Sequence, residues 1–232
     1  MVELRNNRVW EIDFLRGVAL LLMVFFHLIW DLSNFYNYPF DYTQGVLKLT
    51  GKTAGFMFIT ITAVSCSFSR NNIMRGLKIL GLAMSLTFVT YVFNPDLFIV
   101  FGILHLLGCS ILLYPFLNKF NKKVLILLGV VCIILGQLLP EINTTTNILA
   151  PLGLRDVYFR SLDYYPLFPY LGIFIFGVVF AKIFYPQKQS VFNKQLPANP
   201  INFIGRHTLK VYIFHQPFIL LVLYLLSEIN LI

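Results

Sequence analysis

Apolar segments of near-membrane length recur along the whole chain, over residues 14–32, 53–68, 77–93, 97–116, 124–139, 167–184 and 209–226. A helix needs about 20 apolar residues to cross the hydrocarbon core of a bilayer, so the shorter segments borrow flanking residues or cross where the membrane thins. Nothing resembling a soluble domain is left between them. Hydrophobic residues make up 58% of the chain and charged ones 12%, against roughly 25% charged in soluble domains. None of the segments alternates as a membrane β-strand does. Helices satisfy their own backbone in lipid, so the sequence predicts an all-α polytopic membrane helix bundle of about seven transmembrane helices. A single domain over residues 1–232 is expected.

Charge sets the orientation. With the N-terminus inside, fourteen of the eighteen basic residues and three of the ten acids fall on the cytoplasmic side, including Arg5, Arg8, Arg70, Lys122, Lys188 and Lys194. That gives +11 inside and −3 outside, the bias of cytoplasmic loops. The chain is expected in the inner, cytoplasmic membrane, in contact with lipid. The opening MVELRNNRVWEIDFLRG is not read as a signal peptide, because the apolar run after it carries His27 and Asp31 and lacks a small-residue cleavage site. The net charge of +8 does not point to nucleic acid, since the basic residues punctuate apolar segments instead of forming a basic surface. Cys66, Cys109 and Cys132 all lie in apolar runs and read as small buried hydrophobes. Monomer and homodimer are both compatible with the sequence.

Ionisable residues inside spans carry the functional argument, because burying them unpaired is costly. His27 and Asp31 are four apart on one face of the first span. Asp31 is expected either to anchor the helix at the headgroups or to hold one ring nitrogen of His27, leaving the other as a general base. His105, in FGILHLLG, falls at a depth related to that of His27. His215, in KVYIFHQPF, is followed by Gln216 and the helix-kinking Pro217. For both, interhelical hydrogen bonding competes with chemistry. Asp13 and Arg16 read as a surface pair at the start of the first span, with Gly17 admitting a neighbouring helix. Arg206, His207 and Lys210 cluster at the inner mouth, where lipid phosphate or a polyanionic cofactor would meet them. For a phosphorylated donor, Arg16, Arg75 and Arg206 are the best-suited cations, because guanidinium bonds phosphate bidentately.

The stretch from 140 to 166 reads as a loop of interfacial anchors or a lid, and that from 186 to 200 as a connector. There is no HExxH, GxSxG, Walker loop or zinc-ligand spacing, and no metal is expected.

Four separated motifs, RVWEIDFLRGVALLLMVFFHLIWDL, FGILHLLG, YLGIFIFG and FIGRHTLKVYIFHQP, together resemble the bacterial branch of the heparan-alpha-glucosaminide N-acetyltransferase catalytic-domain family over nearly the whole chain. The resemblance implies a transmembrane acyltransferase that takes an acetyl group from cytosolic acetyl-CoA and delivers it to an amino sugar or other glycan across the membrane. It places His27 near the acetyl-transfer site, puts Arg75 after the second span, and assigns Arg206 and His215 through GRHTLKVYIFH. On this reading His27, Asp31, His105 and His215 are catalytic, with His105 or His215 stabilising the oxyanion, and Arg16, Arg75, Arg206 and His207 bind the donor. Two other readings stay open: a proton-coupled transporter or flippase of a small polar solute, with the histidines as relays, and a structural partner in an envelope complex.

Overall fold

The computed structural model describes residues 9–142, 144–192 and 199–231, so the expectations for Arg5, Arg8 and Lys194 lie outside the described residues. Eight α-helices follow in order: α1 Trp10–Phe35, α2 Gly45–Phe68, α3 Asn72–Phe93, α4 Ile103–Leu117, α5 Lys122–Leu138, α6 Leu167–Phe184, α7 Pro200–Arg206 and α8 Thr208–Glu228. Among the described residues the only extended pairing is a single parallel bridge between Phe101 and Tyr164. Six helices, α1, α2, α3, α5, α6 and α8, are long and apolar enough to cross a membrane, and α4 is a shorter apolar helix.

Local chemistry starts several of these helices. Asn71, Asn121 and Asn199 each turn a side-chain oxygen onto the backbone N–H three residues on, at 2.9, 3.0 and 2.8 Å, which satisfies a donor the first turn leaves bare. At the far end of α4, the Lys182 ammonium donates to the carbonyls of Asn118 and Phe120, both at 2.8 Å.

The chain divides into two compact units, residues 1–58 with 189–232 and residues 59–188. In the first, α1 packs against α7 and α8. Contact with α7 is backbone on backbone: a Cβ at Gly17 would lie 3.0 Å from the carbonyl carbon of Ile201, and one at Gly205 only 2.7 Å from the carbonyl carbon of Asp13. In the second, α3 pairs with α4 and α5 with α6. Small residues again let helices touch, and a Cβ on Gly172 would stand 2.7 Å from the Gly129 carbonyl oxygen. Away from these contacts the side chains are apolar and exposed. Phe88, Val92 and Phe93 on α3 and Leu127, Ile134 and Leu138 on α5 all show more than half their surface. Such a surface is stable only against lipid, and the protein is a multi-pass membrane protein.

The fourth segment departs from the sequence expectation. Residues 97–116 read as one span, but α4 begins only at Ile103 and has 15 residues, about 22 Å at 1.5 Å per residue. The apolar run before it is non-helical, with its backbone bonded elsewhere. Ile99 N–H donates to Thr90 Oγ1, Val100 N–H to Ser161 Oγ, and the Phe98 and Phe101 carbonyls accept from Leu162 and Tyr165 N–H. Irregular backbone survives in an apolar setting when its polar groups are satisfied in this way. Apart from Thr90 on α3, the partners come from the end of the 140–166 loop, so that stretch is tied down here, with Arg155 over the Tyr164 ring at 5.5 Å.

Candidate active site

Within the first unit, the seam between α1 and α8 gathers four polar side chains from the membrane-spanning segments. The His27 and His215 rings meet edge to face, with centroids 4.9 Å apart. One helical turn along α1, the fully buried Asp31 accepts from Gln216 Nε2 with both oxygens, at 2.8 and 3.0 Å. This corrects the expected pairing. Asp31 does not hold His27: among the described residues the carboxylate is bonded to the Gln216 amide, and neither ring nitrogen of His27 is hydrogen-bonded to protein. Nor is Asp31 a headgroup anchor, since it has no exposed surface.

The tautomer of His215 follows from its partner. Nδ1 lies 2.6 Å from the Tyr212 carbonyl, which can only accept, so Nδ1 carries the proton and Nε2 a lone pair. Among the described residues that Nε2 is buried with no hydrogen-bond partner, as is Oε1 of the following residue, Gln216. A ring in this state accepts a proton and does not donate one, so His215 suits a base and not the expected oxyanion donor.

His105 lies in the second unit and is occupied at both nitrogens. Nδ1 accepts from Gly102 N–H at 3.2 Å, which leaves the proton on Nε2, 3.2 Å from Thr87 Oγ1; the Thr87 hydroxyl in turn donates to the Ile99 carbonyl at 2.8 Å. The ring therefore caps the start of α4 and ties it to α3, with no free lone pair or proton for chemistry. Asp163 completes this cap. Its Oδ2 accepts from Ile103 N–H at 2.8 Å and sits where a Cβ at residue 102 would be, which is why glycine stands there. Burial pushes the Asp163 carboxyl up to about 6.

Of the four residues expected to bind the donor, the first unit brings together Arg16 and Arg206, joined by Asp13. Arg16 Nη1 lies 3.2 Å from Asp13 Oδ1 and Arg206 Nε 3.6 Å from Asp13 Oδ2. Asp13 is buried, so the expected surface pair is instead an internal link from α1 to α7, while Arg206 keeps about half of its side chain (47%) exposed. His207 is exposed, stacked on Phe203, with Nδ1 2.9 Å from the Phe203 carbonyl. Arg75 belongs to the second unit, where Nη1 lies 4.0 Å from Cys66 Sγ.

Two participants escaped the sequence reading. Glu11, counted there only as a charge, is buried and accepts from Ser190 Oγ at 2.9 Å and Val191 N–H at 2.8 Å; its signal was an acid beside the apolar Trp10 and Ile12 at a span start. Gln216 was noticed only as the neighbour of His215. The three cysteines remain thiols. Among the described residues no group of three or more His, Cys, Asp or Glu side chains could hold a metal ion.

A helical membrane protein with a basic cluster at one end of α1 and a paired histidine seam further along it has the makings of a membrane acyltransferase. The comparison with family models makes this specific: the model described as heparan-alpha-glucosaminide N-acetyltransferase, catalytic, matches residues 8–217, and the chain belongs to that family. No curated protein and no solved structure matches it significantly.

Proposed function

We propose that the protein moves an acetyl group from cytosolic acetyl-CoA to the amine or hydroxyl of a glycan acceptor, an amino sugar by preference, at the extracytoplasmic side of the inner membrane. The observation that carries this reading is the buried lone pair on His215 Nε2, unpartnered among the described residues, on a ring set edge to face with a second histidine within membrane-spanning helices. Family membership supports an acyl donor. In this reading the matched stretch works as one acyltransferase domain, with seven crossings, α4 included, and a cytoplasmic N-terminus, as the charge bias suggests.

His215 takes the proton of the attacking amine or hydroxyl at Nε2, while the Tyr212 carbonyl holds Nδ1–H and shares the positive charge that develops. In this reading His27, whose ring meets that of His215 edge to face, serves as the next station for the proton. Acetyl-CoA supplies the activated acyl carbon: the new C–N or C–O bond forms as its C–S bond breaks, and the departing CoA thiolate takes up the proton removed from the acceptor. Two guanidiniums sharing one carboxylate, with Arg206 half exposed, fit the phosphates of such a donor. His207 follows Arg206 in the chain, and Arg75 is proposed for donor binding from its place after the second span alone. Asp13 keeps Arg16 and Arg206 in place.

Calorimetric titration of acetyl-CoA into the purified protein tests the donor. Arg206→Gln and Arg75→Gln should each weaken binding about tenfold, the scale of one charge-assisted hydrogen bond. A folded wild type that binds no acetyl-CoA would sink the reading. Uptake of a polar solute by liposomes lacking any acyl donor would instead favour transport, for which a histidine pair within the spans is also suited.

A further inference from the structure

One end of the Gln216 amide is fixed and the other is bare. Nε2 donates to both oxygens of Asp31, whereas Oε1 is buried with no hydrogen-bond partner. With Asp31 ionised the amide is held this way round, because a flip would set its oxygen against the carboxylate oxygens, acceptor facing acceptor. Asp31 is fully buried and, among the described residues, is hydrogen-bonded only to this amide, so its evident effect is to hold Gln216 in that orientation. The preceding residue repeats the pattern, since Nδ1 of His215 is held by the Tyr212 carbonyl and Nε2 is bare among the described residues. Their neighbours on α1, His27 and Asp31, stand one helical turn apart, roughly 5–6 Å between Cβ atoms. The seam therefore presents two lone pairs, and neither of these two atoms carries a hydrogen. Buried acceptors left unpaired are rare in native proteins and ask for an explanation.

We infer that Gln216, oriented by Asp31, determines acceptor specificity: its carbonyl oxygen receives an N–H or O–H flanking the nucleophile while His215 takes the nucleophile's own proton. The inference rests on the acyl-transfer reading above and adds the acceptor subsite to it. Two acceptors select a ligand with two neighbouring donors, which is the chemistry of an amino sugar or a polyol. They repel a carbonyl oxygen or a carboxylate, so the acyl oxygen must be stabilised by other groups. Asp31 is a positioning residue, acting through Gln216.

The test uses the full chain in lipid nanodiscs with glucosamine as probe. Its affinity is read by saturation-transfer NMR without donor, then its KM with acetyl-CoA present. Gln216→Met keeps the length of the side chain and removes the acceptor. Asp31→Asn puts an NH2 group where only acceptors stood and lets the Gln216 amide turn over. Each should raise the Kd and KM for glucosamine about tenfold while leaving the KM for acetyl-CoA unchanged, and Asp31→Glu should recover part of the loss. A merely structural role would lower thermal stability without separating the two KM values. If Asp31 without its partner prevents folding, the double variant Asp31→Leu with Gln216→Met restores an apolar pair and should show the same selective loss. Unchanged glucosamine affinity in folded Gln216→Met or in the double variant, or no glucosamine binding by wild type, overturns the inference. Gln216-dependent glucosamine binding without acetyl transfer would fail the acyl-transfer reading and leave the subsite standing.

Discussion

Adding one methyl group at Gly205 tests how tightly α7, and with it Arg206, is held on α1. An alanine Cβ would lie 2.7 Å from the Asp13 carbonyl carbon, 3.0 Å from Gly17 N and closer still to the Asp13 carbonyl oxygen, whereas ordinary contact begins at 3.4 Å. All three obstacles are backbone, so no rotamer change relieves them. The helix must withdraw locally by about 1 Å, an overpacking cost of about 1–3 kcal/mol. The same shift stretches the 3.6 Å Arg206–Asp13 contact past ion-pair range. Thermal unfolding in nanodiscs, followed by tryptophan fluorescence, is well placed to see this because both tryptophans, Trp10 and Trp30, lie on α1. At roughly 2–4 °C per kcal/mol for a chain of this size, Gly205→Ala should melt several degrees lower and bind acetyl-CoA more weakly. Gly81→Ala is the control. A Cβ there meets nothing within 4 Å, and in the interior of α3 it should be neutral or stabilise by up to about 1 kcal/mol. A Gly205→Ala protein that melts with wild type and binds acetyl-CoA equally well would refute the close-packing argument.

Three further outcomes are expected. His105→Ala should cost about 1–3 kcal/mol by leaving the Gly102 N–H and the Thr87 hydroxyl without their partner, seen as a lower melting temperature; no loss would remove its capping role. Asp163 binds its proton more tightly folded than unfolded, with a carboxyl raised from 3.8 to about 6. Its contribution to stability is thus full below about pH 4 and falls away as pH rises through about 6. A denaturant series should show that decline in wild type and not in Asp163→Asn, and equal pH dependence of the two would discount burial of this carboxyl. Cysteine-accessibility labelling should reach positions 122 and 188 from the cytoplasm and 41 and 155 from outside, and reversal of either pair would overturn the orientation.

What could be read in the sequence depended on whether the cause was local. The sixth apolar segment, 167–184, coincides with α6 because Pro166 precedes it and the run stays apolar up to Lys182, although the backbone at Phe168 is not helical. The fourth was not, since an apolar run does not say whether its backbone is bonded within a helix or to Ser161, Leu162 and Tyr165, some 60 residues on. Helix α7 was hidden inside a stretch read as connector and basic motif, being only seven residues long. At the site the limit was of the same kind. His27 is four residues from Asp31 and looked like its partner, but the partner is Gln216, 185 residues away. His105 and His215 look alike in the sequence, and only the hydrogen bonds at their ring nitrogens separate a helix cap from a ring with an unpartnered Nε2.

Transfer of radiolabelled acetyl from acetyl-CoA to glucosamine by proteoliposomes, with donor supplied only on the side exposing Lys122, bears most directly on the claim that this is a transmembrane acyltransferase using the His27–His215 seam. Wild type should form labelled N-acetyl product on the opposite side. His215→Ala should slow it by roughly 10²–10⁴-fold, the usual loss when a general base is removed, with the protein still folded and still binding acetyl-CoA. Wild-type protein that binds both ligands yet yields no labelled product, or a folded His215→Ala protein that turns over at the wild-type rate, would contradict it.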